Sequence, residues 1–174
     1  MAARRKSVCL MLITLLTFFF ACSPRMLSDA EFARNAISTC NKLTITSGRR
    51  PGSGLDSDPF RLAEYELGKY SITEESAPNA ILLRTGLIEY AQAADALNRA
   101  IHEALERGNI HINIHWMVSQ SGLVMYFLET EGMSEIKPLD VDTAFGQALL
   151  AARRKINDAA RALGMETCVI RDDY

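Results

Sequence analysis

The chain has 174 residues, of which 48% are hydrophobic, 23% charged and 7% aromatic. This composition is ordinary for a globular protein, so it excludes collagen-like, low-complexity and wholly disordered chains, and the length suits one compact domain. The formal net charge is −2, so the chain has no excess of basic residues with which to bind a polyanion such as a nucleic acid. The sequence therefore predicts a small globular protein that does not bind nucleic acid.

The N-terminus combines a basic segment, Arg4-Arg5-Lys6, with an apolar run over residues 8–21. This run is too short to cross a bilayer comfortably as a helix, which needs roughly 17–25 residues. Its length instead fits a secretory h-region of about 7–15 residues. We therefore predict a signal peptide over residues 1–21. The alternatives are an uncleaved N-terminal anchor and a signal in which Cys22 is incidental.

The residues Phe19-Phe20-Ala21-Cys22 resemble the lipobox of bacterial lipoproteins. This resemblance implies that Cys22 carries a diacylglycerol thioether, normally with a third acyl chain on its amine, and such chains anchor a protein stably. Ser23 at the next position resembles the outer-membrane default, which implies a location on the periplasmic face of the outer membrane. Residues 22–27 would then form a lipid-anchored tether.

The segment after the tether begins with Ser28 and Glu31 at capping-box spacing. Apolar residues follow at helical spacing through Leu43, which predicts a helix over about 29–43 within an N-terminal segment of residues 28–46. Residues 47–59 are rich in Gly, Pro and Ser and predict a flexible loop. The remaining residues, 60–174, are predicted to form an α+β domain.

The elements of this domain are predicted from its apolar periodicity. They are a strand near 62–72, a helix from Pro78 or from about residue 87 to Gly108, a hairpin of strands over 110–117 and 123–128, a helix between Pro138 and Gly164, and a strand over 167–171. The order β-α-β-β-α-β predicts a ferredoxin-like split βαβ fold, with an antiparallel sheet and two long helices preceded by the N-terminal helix. If residues 62–72 are helical instead, a three-stranded sheet under three or four helices remains.

His111, Asn113, His115 and Met117 alternate onto one face of the predicted strand over 110–117. Such a face would suit a polar ligand or a soft metal ion. The two imidazoles, at positions i and i+4 of a strand, lie about 13 Å apart, which is too far to share one ion. His111 and His115 are therefore only weak metal candidates, and a solvated polar face is the alternative.

The sequence contains no G-x-S-x-G or H-E-x-x-H signature. Glu129 and Glu131 are the first candidates for paired-carboxylate chemistry, and they support only a weak hydrolase hypothesis. We therefore predict no enzyme, no catalytic residues and no cofactor.

Cys40 and Cys168 are the cysteines left after Cys9, in the signal peptide, and Cys22, at the lipobox. Export would place both in an oxidising compartment, where disulfides form and persist. We therefore predict a Cys40–Cys168 disulfide. Two buried free cysteines are the alternative.

These features together predict a non-catalytic envelope lipoprotein, held at a membrane through acyl chains on Cys22, that binds or positions another envelope protein. One alternative is a ligand- or metal-binding lipoprotein that uses the His111/Asn113/His115 strand face. A second alternative is an envelope hydrolase.

Overall fold

The computed structural model describes residues 26–46, 55–108, 115–130 and 133–170. The helices of this part are α1 (Asp29–Thr46), α2 (Asp58–Leu67), α3 (Pro78–Arg107) and α4 (Thr143–Ala162), and Glu166–Cys168 forms a single 3₁₀ turn. The strands β1 (His115–Val118), β2 (Val124–Thr130) and β3 (Met133–Pro138) form one antiparallel sheet in the order β1-β2-β3. Among these described helices, none has the length and apolar character needed to span a membrane.

The predicted ferredoxin-like fold is wrong, because the strands are consecutive in the chain and follow three helices. The sheet is an antiparallel meander with no helical crossover between its strands. The alternative with a helix in place of the strand near 62–72 is closer to the structure. In the structure, however, the third strand of the sheet is β3, whereas the prediction placed it at residues 167–171.

Residues 58–67 form helix α2, where the sequence favoured a strand. Phe60, Ala63 and Leu67 are buried at helical spacing, whereas Leu62 and Tyr65 are 59% and 64% exposed. These two exposed apolar side chains obscure the helical period in the sequence. The helix begins inside the predicted loop of residues 47–59, and residues 47–54 lie outside the described part.

The C-terminal strand predicted over residues 167–171 is also absent where the chain is described. Cys168 ends the 3₁₀ turn, and Val169 has an extended backbone without a strand partner. Pro138, which was expected to precede a helix, ends β3 instead. Helix α4 begins five residues later, where the Asp142 carboxylate accepts a hydrogen bond from the Ala144 N–H at 2.9 Å and caps the helix.

The two long helices, α3 and α4, run antiparallel at the centre of the core. Gly86 on α3 lies against α4, where an added Cβ would stand 2.9 Å from the Ile156 Cγ1 atom. Nearby, the Lys155 ammonium forms an ion pair with the Glu89 carboxylate at 2.7 Å. Helix α3 continues through Gly86 without a break, so the glycine permits a close contact between the helices rather than starting or ending one.

Helix α1 confirms the expected N-terminal helix, including its capping box. The Ser28 Oγ accepts from the Glu31 N–H at 3.4 Å, and the Glu31 carboxylate accepts from the Ser28 N–H at 3.2 Å. Phe32 and two residues one and two turns further on, Ala36 and Cys40, form the buried side of α1. This apolar stripe attaches α1 to the helical core.

Candidate interaction surface

The inner face of the sheet packs on the core. Val118 opposes Val124, and Trp116 opposes Tyr126, across β1 and β2. Val118, Val124 and Tyr126 are buried, and Trp116 packs against the buried core cluster. Because side chains alternate along a strand, the intervening residues belong to the opposite face of the sheet.

The opposite face is apolar and open to solvent. Met117 opposes Met125, Met125 opposes Pro138 on the other side, and Phe127 opposes Ile136. Met117, Met125 and Phe127 are half-buried, and Ile136 is 54% exposed. We call these five residues the outer sheet face.

The hairpin turn at residues 119–122 seats the sheet on α4. Gly122 has a φ of +88°, a left-handed conformation that favours glycine. Gly146 on α4 lies against it so closely that an added Cβ would stand 2.1 Å from the Gly122 carbonyl oxygen. The Gln147 Nε2 also donates to the Ser121 carbonyl oxygen at 3.2 Å. This contact between backbones holds the inner face on the core and leaves the outer sheet face in solvent.

The N-terminal end of α1 lies against the N-terminal end of α3. The Asp29 carboxylate accepts from the Asn79 side-chain amide at 2.8 Å and from the Ala80 N–H at 3.1 Å. Ala77, the N-cap residue of α3, has only a methyl side chain, which cannot accept a hydrogen bond from the first turn. Asp29 on α1 therefore caps α3 and fixes the start of α1 at that end of the bundle.

The sheet joins α4 at the other end of α3. There the Arg107 guanidinium donates to the Asp140 carbonyl oxygen at 3.0 Å, in the connection between β3 and α4. Helix α3 has 30 residues, which corresponds to about 45 Å at 1.5 Å per residue. The start of α1 and the junction of the sheet with α4 are thus separated by roughly the length of this helix.

The Cα atoms of Cys40 and Cys168 are 4.7 Å apart, inside the range of roughly 4.4–6.8 Å that disulfides span. Cys40 is 0% and Cys168 2% exposed. The structure thus brings together the two predicted partners, with Cys168 in the 3₁₀ turn rather than in a strand. A bond between them would tie α1 to the C-terminal segment.

The histidine candidates are only partly described. His115 is the first residue of β1 and opposes Phe127 on β2, whereas His111 and Asn113 lie outside the described residues. In the described part of the chain, no group of three or more His, Cys, Asp or Glu residues is placed to hold a metal ion. The metal-binding alternative that rests on His111, Asn113 and His115 stays a prediction.

The predicted lipidation site and carboxylate pair also fall partly outside the described residues. Cys22 and Glu131 lie outside the described residues, and Glu129 opposes Ser134 near the end of β2. The acyl anchor and the paired carboxylates both remain predictions from the sequence.

Asp95 and Lys137 have pKa values that are shifted for structural reasons. A hydrogen bond from Ser57, together with one from Arg61, lowers the pKa of Asp95 where α2 meets α3. A hydrogen bond to Glu135 raises the pKa of Lys137 on β3. Ion pairs of this kind perturb pKa values without implying catalysis, so these shifts do not define an acid–base site.

Two asparagine side chains that the sequence analysis missed clamp peripheral segments to the long helices. The Asn98 amide on α3 accepts from the Leu55 N–H at 2.9 Å and donates to the Leu55 carbonyl oxygen at 2.8 Å. The Asn157 amide on α4 makes the same pair of bonds with Ile170, at 2.8 and 3.1 Å. A single polar residue on a helix gives no periodic signal, so the sequence contains nothing that would have identified either clamp.

Comparisons with known proteins give no match: no family model matches the chain, and neither does any curated protein or solved structure.

Proposed function

We propose that the protein is a lipoprotein of the bacterial cell envelope that binds another envelope protein through the outer sheet face and catalyses no reaction. The observation that carries this proposal is the contiguous row of apolar side chains on that face. Solvent-exposed apolar patches mark interaction sites more often than isolated apolar side chains do. Methionine suits such a surface because its flexible side chain adapts to the shape of a partner.

A lipid surface is a poor occupant for this face. The acyl anchor proposed at Cys22 precedes α1, whose first turn caps the N-terminal end of α3. The tether of residues 22–27 spans at most about 20 Å, while the sheet joins α4 some 45 Å away along α3. The outer sheet face is therefore presented away from the anchored end.

A second copy of the chain is disfavoured as the occupant by area. The face is three strands wide and two cross-strand rows long, which corresponds to a footprint on the order of 200 Å² with strands about 4.8 Å apart. A stable interface buries roughly 800 Å² on each partner. A short apolar segment of another protein needs only a face of this size and fits better.

Crosslinking in intact cells tests this proposal with a matched pair of variants. Ile136→Glu places a charge on the outer sheet face, and Leu62→Glu places the same charge on α2 at a residue that is 59% exposed. We expect the wild type and Leu62→Glu to recover the same crosslinked protein and Ile136→Glu to lose it, with far-UV circular dichroism unchanged in both. Equal recovery by Ile136→Glu, or no reproducible partner for the wild type, would contradict the proposal.

The anchor is tested separately at Cys22. We expect Cys22→Ser to accumulate as an unprocessed precursor and to lose labelling by a clickable palmitate analogue, because the thioether cannot form. Ser23→Ala is the matched control and should be labelled like the wild type. Undiminished labelling of Cys22→Ser would end the lipoprotein proposal.

A further inference from the structure

We infer that the outer edge of β3 pairs with β3 of a second copy of the chain, antiparallel and centred on Ile136, so that the two sheets become one continuous sheet. This pairing goes beyond the proposed binding of an envelope protein and does not depend on it. The second copy lies beside β3 and leaves the outer sheet face uncovered. Main-chain hydrogen bonds, rather than the area of a face, hold strands that are added in this way.

The backbone of β3 has hydrogen-bonding groups along its outer edge. In the part of the chain that the structure describes, β3 pairs with β2 and with no other strand. The Leu139 N–H donates to the Val124 carbonyl oxygen at 2.9 Å, and successive residues of an antiparallel strand alternate between bonding to the neighbouring strand and pointing away from it. The backbone groups of Ser134, Ile136 and Pro138 therefore point away from β2.

Pro138 agrees with this assignment and leaves most of the edge bonds intact. Proline has no N–H to donate, so within a sheet it is confined to positions such as an edge, where its nitrogen faces away from the neighbouring strand. In the inferred register, the Ile136 N–H of each copy donates to the Ile136 carbonyl oxygen of the other. The Ser134 N–H donates to the Pro138 carbonyl oxygen of the second copy, so the proline removes only the reciprocal bond.

The charges on β3 select this register. With Ile136 at the centre, Glu135 of each copy opposes Lys137 of the other, and opposite charges in cross-strand positions stabilise a sheet. A register centred on Glu135 or on Lys137 would instead place that residue opposite its own copy, and like charges there are destabilising. The two side chains are 62% and 43% exposed and already form an ion pair at 2.9 Å within one copy. Each charge would therefore gain a second opposite neighbour without being buried.

Charged residues and proline also protect edge strands from pairing with other chains. Lysine alone has this effect on a second copy because like charges meet when the two edges approach. Strand β3 instead has one acid and one base at equal distances from Ile136, so its own copy is attracted in one register. Because residues opposed in a sheet share a face, the two outer sheet faces would lie side by side on one surface of the dimer.

Crosslinking at the centre of the pairing tests the inference. A cysteine at position 136 would meet its own copy, since the Cα atoms of a hydrogen-bonded antiparallel pair are about 5.5 Å apart. The experiment uses the full chain in detergent, with Cys9→Ser and Cys22→Ser to remove the N-terminal thiols, Ile136→Cys and a short bifunctional maleimide. We expect a covalent dimer from this protein and none from the control Leu62→Cys, which places the thiol on α2 at a residue that is 59% exposed. No dimer from Ile136→Cys, or an equal yield from Leu62→Cys, would overturn the inference.

Charge reversal in the Ile136→Cys protein tests the register. Glu135→Lys and Lys137→Glu each turn two attractive cross-strand contacts into two repulsive ones, so we expect each to lower the dimer yield about tenfold or more. The chain with both substitutions, in which the two charges are exchanged, should dimerise like the parent. An equimolar mixture of the two single variants should also dimerise, because two lysines of one chain then oppose two glutamates of the other. Glu66→Lys, which breaks an exposed ion pair with Lys69 on α2, is the matched control and should leave the yield unchanged.

The same variants keep this inference separate from partner binding. Lys137 opposes the buried Tyr126, and Glu135 is two residues away on the same strand, so both charges lie on the side of the sheet opposite to the outer sheet face. The single variants should therefore lose the dimer and still recover the crosslinked envelope protein, with far-UV circular dichroism like that of the parent. Dimer yields as high as the parent's in both single variants, or no recovery of the dimer in their mixture, would overturn the pairing of Glu135 with Lys137.

Discussion

Replacing Gly146 with alanine tests the backbone contact that seats the sheet on α4. A Cβ at this position would stand 2.1 Å from the Gly122 carbonyl oxygen and 2.8 Å from its carbonyl carbon. Both are backbone atoms, so no side-chain rotation can relieve the contact. The hairpin turn must therefore move away from α4 by about 1 Å, with the cost that overpacking brings.

The size of the effect follows from two opposing contributions. Alanine is favoured over glycine inside a helix by about 1 kcal/mol. Overpacking typically costs about 1–3 kcal/mol, and contact between two backbones belongs at the upper end because neither side yields easily. We expect Gly146→Ala to lower the free energy of unfolding by about 2 kcal/mol net.

Urea denaturation measures this change by two signals. Far-UV circular dichroism reports the helices, and fluorescence reports the sheet through Trp116, the one tryptophan of the chain, which packs from the sheet against the core. The exposed Ala148→Gly variant on α4 should lose about 1 kcal/mol from helix propensity alone and leave the native fluorescence unchanged. A Gly146→Ala protein as stable as the wild type, with unaltered Trp116 fluorescence, would refute the reasoning.

The paired cysteines, the Asp95 ion pair and the cap on α3 give three further measurements. Replacing Cys40 and Cys168 together with serine should lower the free energy of unfolding by up to about 5 kcal/mol, since the bond would close a loop of 128 residues; maleimide labelling of both thiols in unfolded, unreduced wild type would contradict the bond. Asp95 has a lowered pKa in the folded state, so its contribution is present above its unfolded pKa of about 3.9 and is lost as the pH falls through the folded value. Asp95→Asn should therefore be less stable than the wild type at neutral pH, with a difference that shrinks below about pH 4, and a pH-independent difference would count against this assignment. Asp29→Ala should cost about 1 kcal/mol through the lost cap and Asp29→Asn clearly less, because the amide oxygen still accepts a bond; equal losses in urea denaturation would mean that the cap does not stabilise α3.

The long helices could be predicted because each buries a continuous apolar stripe. Helices α1, α3 and α4 lie close to their expected positions for this reason. The strand β3 could not be predicted, because its pattern is inverted: the charged residues Glu135 and Lys137 alternate with an exposed Ile136. The two side chains form an ion pair at 2.9 Å, which makes both charges tolerable on that side of the sheet. Because charged residues occupy the positions where a strand normally has apolar ones, the hydrophobicity pattern does not indicate a strand.

The candidate surface depends on register, which a single strand does not reveal. The sequence placed Met117 on one face with His115, but it did not show that Met125 stands opposite, because pairing is set by the turn and by the contact of Gly122 with α4. Cys40 and Cys168 could be paired by elimination because only two cysteines remain after the N-terminal segment. Their 4.7 Å Cα separation is compatible with that prediction.

The position of Cys168 opposite Cys40 also has a mechanical consequence. A pull between an acylated Cys22 and a protein held on the sheet would enter the domain through α1, and along the main chain it would run through residues 41–114 to β1. A Cys40–Cys168 bond adds a second covalent route, from α1 through the 3₁₀ turn and back along α4 to β3. Tension would then reach the sheet through both of its edge strands, β1 and β3. The segment between α1 and α2 would therefore no longer carry the whole load. A domain connected in this way would transmit force from membrane to partner without unravelling from its tethered end.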